Sequence, residues 1–210
     1  MEKLTYRNQG YCDRLQRAES WIERARAIED WEDHHGQFIF YWIALNALYG
    51  RDEASRRSEA DDQTWFLNRV FDLDKEARAI PRAFDELKPK ADRLLKDQFL
   101  VDPYWSEGLT ARVKRIIESD FKKAQEAWVR GDRETYIGIL FWRLSVLRNQ
   151  IFHGCSTDRR SLNKTSLMPA LDILEALVPQ FLETLRLHGK NYDWPKIPYP
   201  RKGSPQHPGA

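Results

Sequence analysis

Residues 132–155, DRETYIGILFWRLSVLRNQIFHGC, constrain the fold more than any other stretch: they read as one long apolar helix carrying polar residues that packing alone does not require. Wound at about 100° per residue, Ile137, Leu140, Phe141, Leu144, Leu147, Ile151 and Phe152 fall on one arc of roughly 140°. Arg148 falls inside that arc. A guanidinium stays charged at any accessible pH, so a core-facing one needs a carboxylate, a set of carbonyls or a water-filled cleft to receive it. The opposite stripe is Gly138, Ser145, Asn149 and His153, with Trp142 among them. Asn149 and His153 are i and i+4 and stack on one flank of the helix end. Gly154 suits the position just past a helix, which makes His153 the last or nearly the last helical residue. Ideal winding sets Arg148 and His153 about 140° apart. A joint site therefore requires Arg148 to reach around, the last turn to loosen, or a second copy of the helix.

The second constraint is Phe38 to Tyr49, where every residue except Asn46 is apolar or aromatic. A helix apolar all round must be wrapped by others, and the 135–153 helix is its expected neighbour. Asn46 is then a buried amide in need of a partner, and Arg148 or His153 is a convenient one.

Around these two, the apolar spacing predicts further helices. One runs from Tyr11 to Glu29, and Arg14, Arg17, Arg24 and Arg26 on its polar side suit either solvent or a phosphate backbone. Arg51 to Gln63 reads as a charged surface loop, followed by a short helix from Thr64 to Leu73 capped by Asp61 or Asp62. A helix beginning near Pro81 is kinked or split at Pro89, and Asp102-Pro103 marks another break. From Leu109 to Val129 one side is apolar and the other carries Lys114, Arg115, Lys122 and Lys123, the best candidate for an RNA-backbone surface. A last helix holds Pro169 in its first turn and is bent at Pro179. The sum is an all-α bundle of about six or seven helices, as a domain over 1–190, with a Pro-rich strap and tail over 191–210.

Composition narrows the function classes. A net charge of +2 gives no general attraction to nucleic acid, so any RNA affinity must come from a local patch. Cys12 and Cys155 lie far apart without a C-x-x-C, which argues against a disulfide framework or a zinc site and fits a reducing compartment. Glu32, Asp33, His34 and His35 invite a metal reading, but adjacent His side chains diverge on a helix, and Asp33 reads more simply as a cap. No metal or other cofactor is expected. The N-terminal stretch lacks the pattern of a signal peptide, and the uncharged run from 36 to 50 is shorter than the roughly 20 residues of a membrane span, so a cytoplasmic protein is expected.

Arg148-Asn149-Gln150-Ile151-Phe152-His153 matches the R-x4-6-H signature, with a polar residue straight after the Arg, of the HEPN superfamily (higher eukaryotes and prokaryotes nucleotide-binding domains). FIFYWIALNALYG at 38–50, LRNQIFHGCST at 147–157 and ALDILEALVPQFLE at 170–183 resemble a group of prokaryotic HEPN proteins, in order and spacing over most of residues 35 to 200. The resemblance implies a HEPN-like bundle acting as a homodimer, and a metal-independent endoribonuclease that leaves a 2′,3′-cyclic phosphate and a 5′-hydroxyl. Carried over by position, Arg148 and His153 are catalytic and Asn149 supports them; Asn46 is a looser match. Cys155 stands where HEPN toxins silenced by nucleotidylation carry a Tyr, so that control is not expected here.

The residues fit that chemistry independently. RNA carries its own nucleophile, the 2′-hydroxyl, so a protein need supply only a base, an acid and a cation. An ordinary imidazole titrates near 6.5 and takes either proton role. One His cannot easily serve both sides of an in-line displacement, whereas two copies about a two-fold axis can. Arg159, Arg160 and Lys164, in the loop after Gly154, would add positive charge for RNA. The expected role is the toxic effector of a prokaryotic defence or toxin–antitoxin system, held in check by an inhibitory or activating protein partner. The alternative is a non-catalytic HEPN module for dimerisation, partner docking or nucleotide binding, with Arg148 as a buried strut.

Overall fold

The structure, a computed structural model, describes residues 6–30, 33–52, 58–153 and 164–199, the side chains of 6–9 and 164 excepted. Among them every regular element is helical: α1 (Tyr6–Arg26), α2 (His34–Tyr49), α3 (Glu59–Asp74), α4 (Ala79–Asp85), α5 (Lys88–Lys96), α6 (Tyr104–Glu107), α7 (Ala111–Val129), α8 (Arg133–Phe152) and α9 (Lys164–His188), with a 3-10 turn at Gln98–Leu100. The described residues thus hold nine α-helices rather than six or seven, because the stretch after Asp74 breaks into short pieces. Pro89 sits in the first turn of α5, where its missing amide hydrogen costs no helical bond. Among the described residues no helix is long and apolar enough to cross a membrane.

The helix that most others share is α9, which lies against α1, α2, α3, α4, α5 and α8. Its Leu174, Leu177, Val178, Phe181 and Leu185 are fully buried, and Phe181 stacks edge-on against Phe66 of α3. It begins at Lys164, so Pro169 lies beyond the first turn rather than within it. The expected pairing of α2 with α8 is corrected likewise. α2 packs chiefly on α1 and α9, its buried face being Phe38, Tyr41, Trp42, Leu45 and Leu48, and it touches α8 only sparingly.

A second correction concerns Arg14, expected on a polar surface but fully buried. Its Nη1 donates to the carbonyls of Leu48 (2.5 Å) and Gly50 (3.0 Å), and its Nη2 to that of Pro195 (3.0 Å). The carbonyls at the end of α2 lack intrahelical partners and carry the negative end of the helix dipole, which is why a cation is tolerated there. Burial, then Arg51 and Arg17, pull the Arg14 pKa down to about 9, with Asp62 opposing them, so it remains charged at neutral pH. Arg17 donates to the Pro198 carbonyl at 2.8 Å. These bonds tie the segment after α9 onto the bundle as a strap, whose own Trp194 and Ile197 are buried. Residues 200–210 lie outside the described part.

Candidate functional site

The site forms where α3 and α8 run antiparallel. Three cross-helix pairs set the register: Asn68 opposite Glu134, Gln63 opposite Ser145, and Glu59 opposite Arg148. α3 begins earlier than its apolar spacing predicts, at Glu59, because Ser58 caps it in a reciprocal box with Asp61. That early start turns a residue read as loop into the acid facing Arg148.

The Arg148 Nη2 donates to Glu59 Oε1, and the guanidinium carbon lies 5.3 Å from the centroid of the Trp42 ring. Among the described residues Nη1 and Nε have no acceptor. The Arg148 side chain is 19% exposed, on the wall of a cleft of about 250 Å³ lined also by Glu59, Gln63, Trp142, Ser145 and Asn149. Tyr49 completes the polar chain. Its hydroxyl proton is shared between Glu59 Oε1 at 2.9 Å and Asn46 Oδ1, and Gln63 Nε2 donates to its oxygen at 3.3 Å. Burial, above all, holds the Tyr49 hydroxyl well above the usual tyrosine range, so it is a hydrogen-bond donor and not a base.

The expected residues are therefore partly united. Arg148 and Asn149 share the cleft. Asn46 is exposed rather than buried, and it reaches Arg148 only through Tyr49 and Glu59. His153 caps α8 one turn beyond Asn149, its backbone N–H donating to the Asn149 carbonyl at 2.9 Å, and it is exposed. Its neighbour Phe152, expected in the core, is 54% exposed, and Ile151 is half-buried. The reason is a rotation: the buried side of α8 runs through Tyr136, Arg143, Val146 and Gln150, leaving Arg148 and Phe152 on its margin.

Lys114, Arg115, Lys122 and Lys123 lie exposed on the outer face of α7, apart from the cleft between α3 and α8. Arg159, Arg160, Gly154 and Cys155 lie outside the described residues, as does the side chain of Lys164. Asp33 caps α2, accepting from the Gly36 N–H at 2.8 Å, as its position in the sequence predicts. Glu59, Tyr49 and Gln63 are the site residues that sequence reasoning missed. The legible signal was Ser58-x-x-Asp61, which extends α3 back to Glu59. No family model matches this chain, and neither the curated proteins nor the solved structures include a significant match.

Proposed function

We propose that this chain is a metal-independent endoribonuclease of the HEPN type, working as a homodimer and serving as the toxic effector of a prokaryotic defence or toxin–antitoxin system under the control of a protein partner. One observation carries the reading: Arg148 is fixed by Glu59 and Trp42 on the wall of an open cleft, yet the N–H donors of its Nη1 have no acceptor among the described residues, one and a half turns from an exposed imidazole. A phosphorane oxygen is the kind of acceptor those donors suit. In the proposed reaction one imidazole takes the 2′-hydroxyl proton as that oxygen attacks phosphorus. The bond to the 5′-oxygen breaks, and a second imidazolium protonates the leaving oxygen. The second imidazole is His153 of another copy, and the apolar ring of Phe152 beside it suits a contact between copies. Glu59 holds Arg148 in place until RNA arrives.

The test is incubation of the full chain with RNA in EDTA, followed by analysis of the new ends. The reading predicts 2′,3′-cyclic phosphates and 5′-hydroxyls, with no cleavage where the attacking 2′-hydroxyl is replaced by hydrogen. Cleavage of that 2′-deoxy substrate at the normal rate, or intact RNA throughout, overturns it. The second reading, a docking module, is favoured by the same Arg148–Glu59 ion pair if its role is to hold α3 on α8.

A further inference from the structure

The cleft at Arg148 does not end there. Ala60, Gln63 and Trp142 line both it and a second hollow of about 200 Å³, which continues along α3 and α8 to Asn68, Glu134 and Gly138. Gly138 leaves the floor open: a Cβ there would meet nothing nearer than Leu67, at 4.0 Å. Glu134 in turn lines a third hollow with Lys75, Arg78 and Arg130. Shared lining residues thus set the three hollows end to end as a groove along α8, where Glu134 to Arg148 spans about 20 Å of helix.

Its contents differ along its length. Arg148 stands at one end. At the other, Arg78 and Arg130 are exposed and make no ion pair or hydrogen bond through their side chains among the described residues. The acids beside them are already engaged: Asp74 accepts from the N–H groups of Ala79 and Ile80, and Asp132 from that of Thr135. Between the ends Trp142 is 51% exposed, an indole on the rim of both hollows. Two turns back along α8, Glu134 lines the second hollow with Asn68, the amide of Asn68 donating to Glu134 Oε1 at 2.5 Å in the orientation that satisfies both. The second hollow is smaller than the roughly 300–1,000 Å³ of a drug-sized site and suits one flat ring.

Free cations at one end, Arg148 beside Glu59 and Asp102 at the other, a stacking face between them and a carboxylate in the lining suit a single-stranded nucleic-acid track. We infer that the groove between α3 and α8 binds single-stranded RNA, with a base stacked on Trp142, its amino edge read by Glu134, and phosphates held by Arg78 and Arg130 at the end away from Arg148. This deepens the ribonuclease reading and rests on it for the choice of RNA. The track uses none of the α7 lysines. A carboxylate accepts from the amino groups of cytosine, adenine and guanine, and uracil has no amino group.

The experiment uses the full chain carrying His153→Ala, in EDTA, with fluorescein-labelled RNA homopolymers of about 12 nucleotides and fluorescence anisotropy as the readout. Trp142→Ala is expected to weaken binding of all four homopolymers about ten-fold without changing the salt dependence, and Trp142→Phe to restore most of the loss. Arg78→Ala and Arg130→Ala are each expected to lower the slope of log K against log salt by roughly 0.7. Glu134→Gln is expected to narrow the disadvantage of the uridine polymer. Unchanged affinity in Trp142→Ala overturns the track, as does a loss traced by sedimentation to dissociation of copies rather than of RNA. An unchanged ranking of the four polymers in Glu134→Gln removes the reader. The two proposals fail separately. Cleavage by the wild-type chain with Trp142-independent binding leaves the nuclease standing without the track, and Trp142-dependent binding without cleavage does the reverse.

Discussion

Arg143 and Arg148 leave the same helix five residues apart and meet opposite surroundings. Arg143 is fully buried, its Nη1 donating to the Leu100 carbonyl at 3.2 Å and its Nη2 to Asp120 at 3.0 Å. Burial pulls its pKa down, with Asp120 and then Asp97 opposing. It ties α8 to α7 and to the turn before α6. Among the described residues Arg148 has one nitrogen engaged, by a Glu59 that is itself 35% exposed, and it borders open space. A buried guanidinium with both terminal nitrogens committed is a strut; one on a cleft wall with donors to spare can take a ligand. The contrast teaches that an arginine in an apolar helix is judged by its unspent donors, not by burial alone.

The largest expected break in that contrast is in stability. Arg143→Ala strands the Asp120 carboxylate and the Leu100 carbonyl and is expected to cost about 3–5 kcal/mol in denaturant unfolding. Arg148→Ala removes a partly exposed pair and is expected to cost less than about 1 kcal/mol. Equal losses would erase the distinction and make Arg148 a strut as well. A smaller effect sharpens it: Ser58→Ala removes the α3 cap, costing about 1 kcal/mol and raising amide exchange in the turn that carries Glu59. Protection unchanged in that turn would show that Glu59 is held by Arg148 and not by the cap.

The smallest concerns pH on the structural side of α8. Burial raises the Asp92 carboxyl, but hydrogen bonds from Lys88, Tyr136 and Gln125 outweigh it and hold the pKa below the usual carboxylate range. A carboxylate with a depressed folded pKa stabilises the fold fully above its unfolded value of about 3.9, and this is lost as pH falls through the folded value. Asp92→Asn should therefore flatten the acid limb of the stability profile while leaving its shape unchanged near neutrality. An unaltered acid limb contradicts it.

The helical class and the outer stripe of α8 were legible in the sequence. Gly138, Trp142, Ser145 and Asn149 do share one face, and that face lines the groove. The inner face was read some way off, because an arc drawn through apolar residues alone takes in Ile151 and Phe152 and leaves out Arg143 and Gln150, whose long stems are buried with their polar ends bonded. Glu59 was missed because a charge-rich run reads as loop, whereas a capping box extends the helix through it. Arg14 was missed for a reason no local pattern carries: its acceptors come from α2 and from the strap some 180 residues away.

The most direct test compares RNA cleavage in EDTA by the wild-type chain with that by Arg148→Ala and His153→Ala, each checked by circular dichroism to be folded at the assay temperature. The account predicts that folded Arg148→Ala and His153→Ala lose about 10²–10³-fold and 10²–10⁴-fold in rate, respectively. Cleavage by either folded variant at the wild-type rate would contradict it.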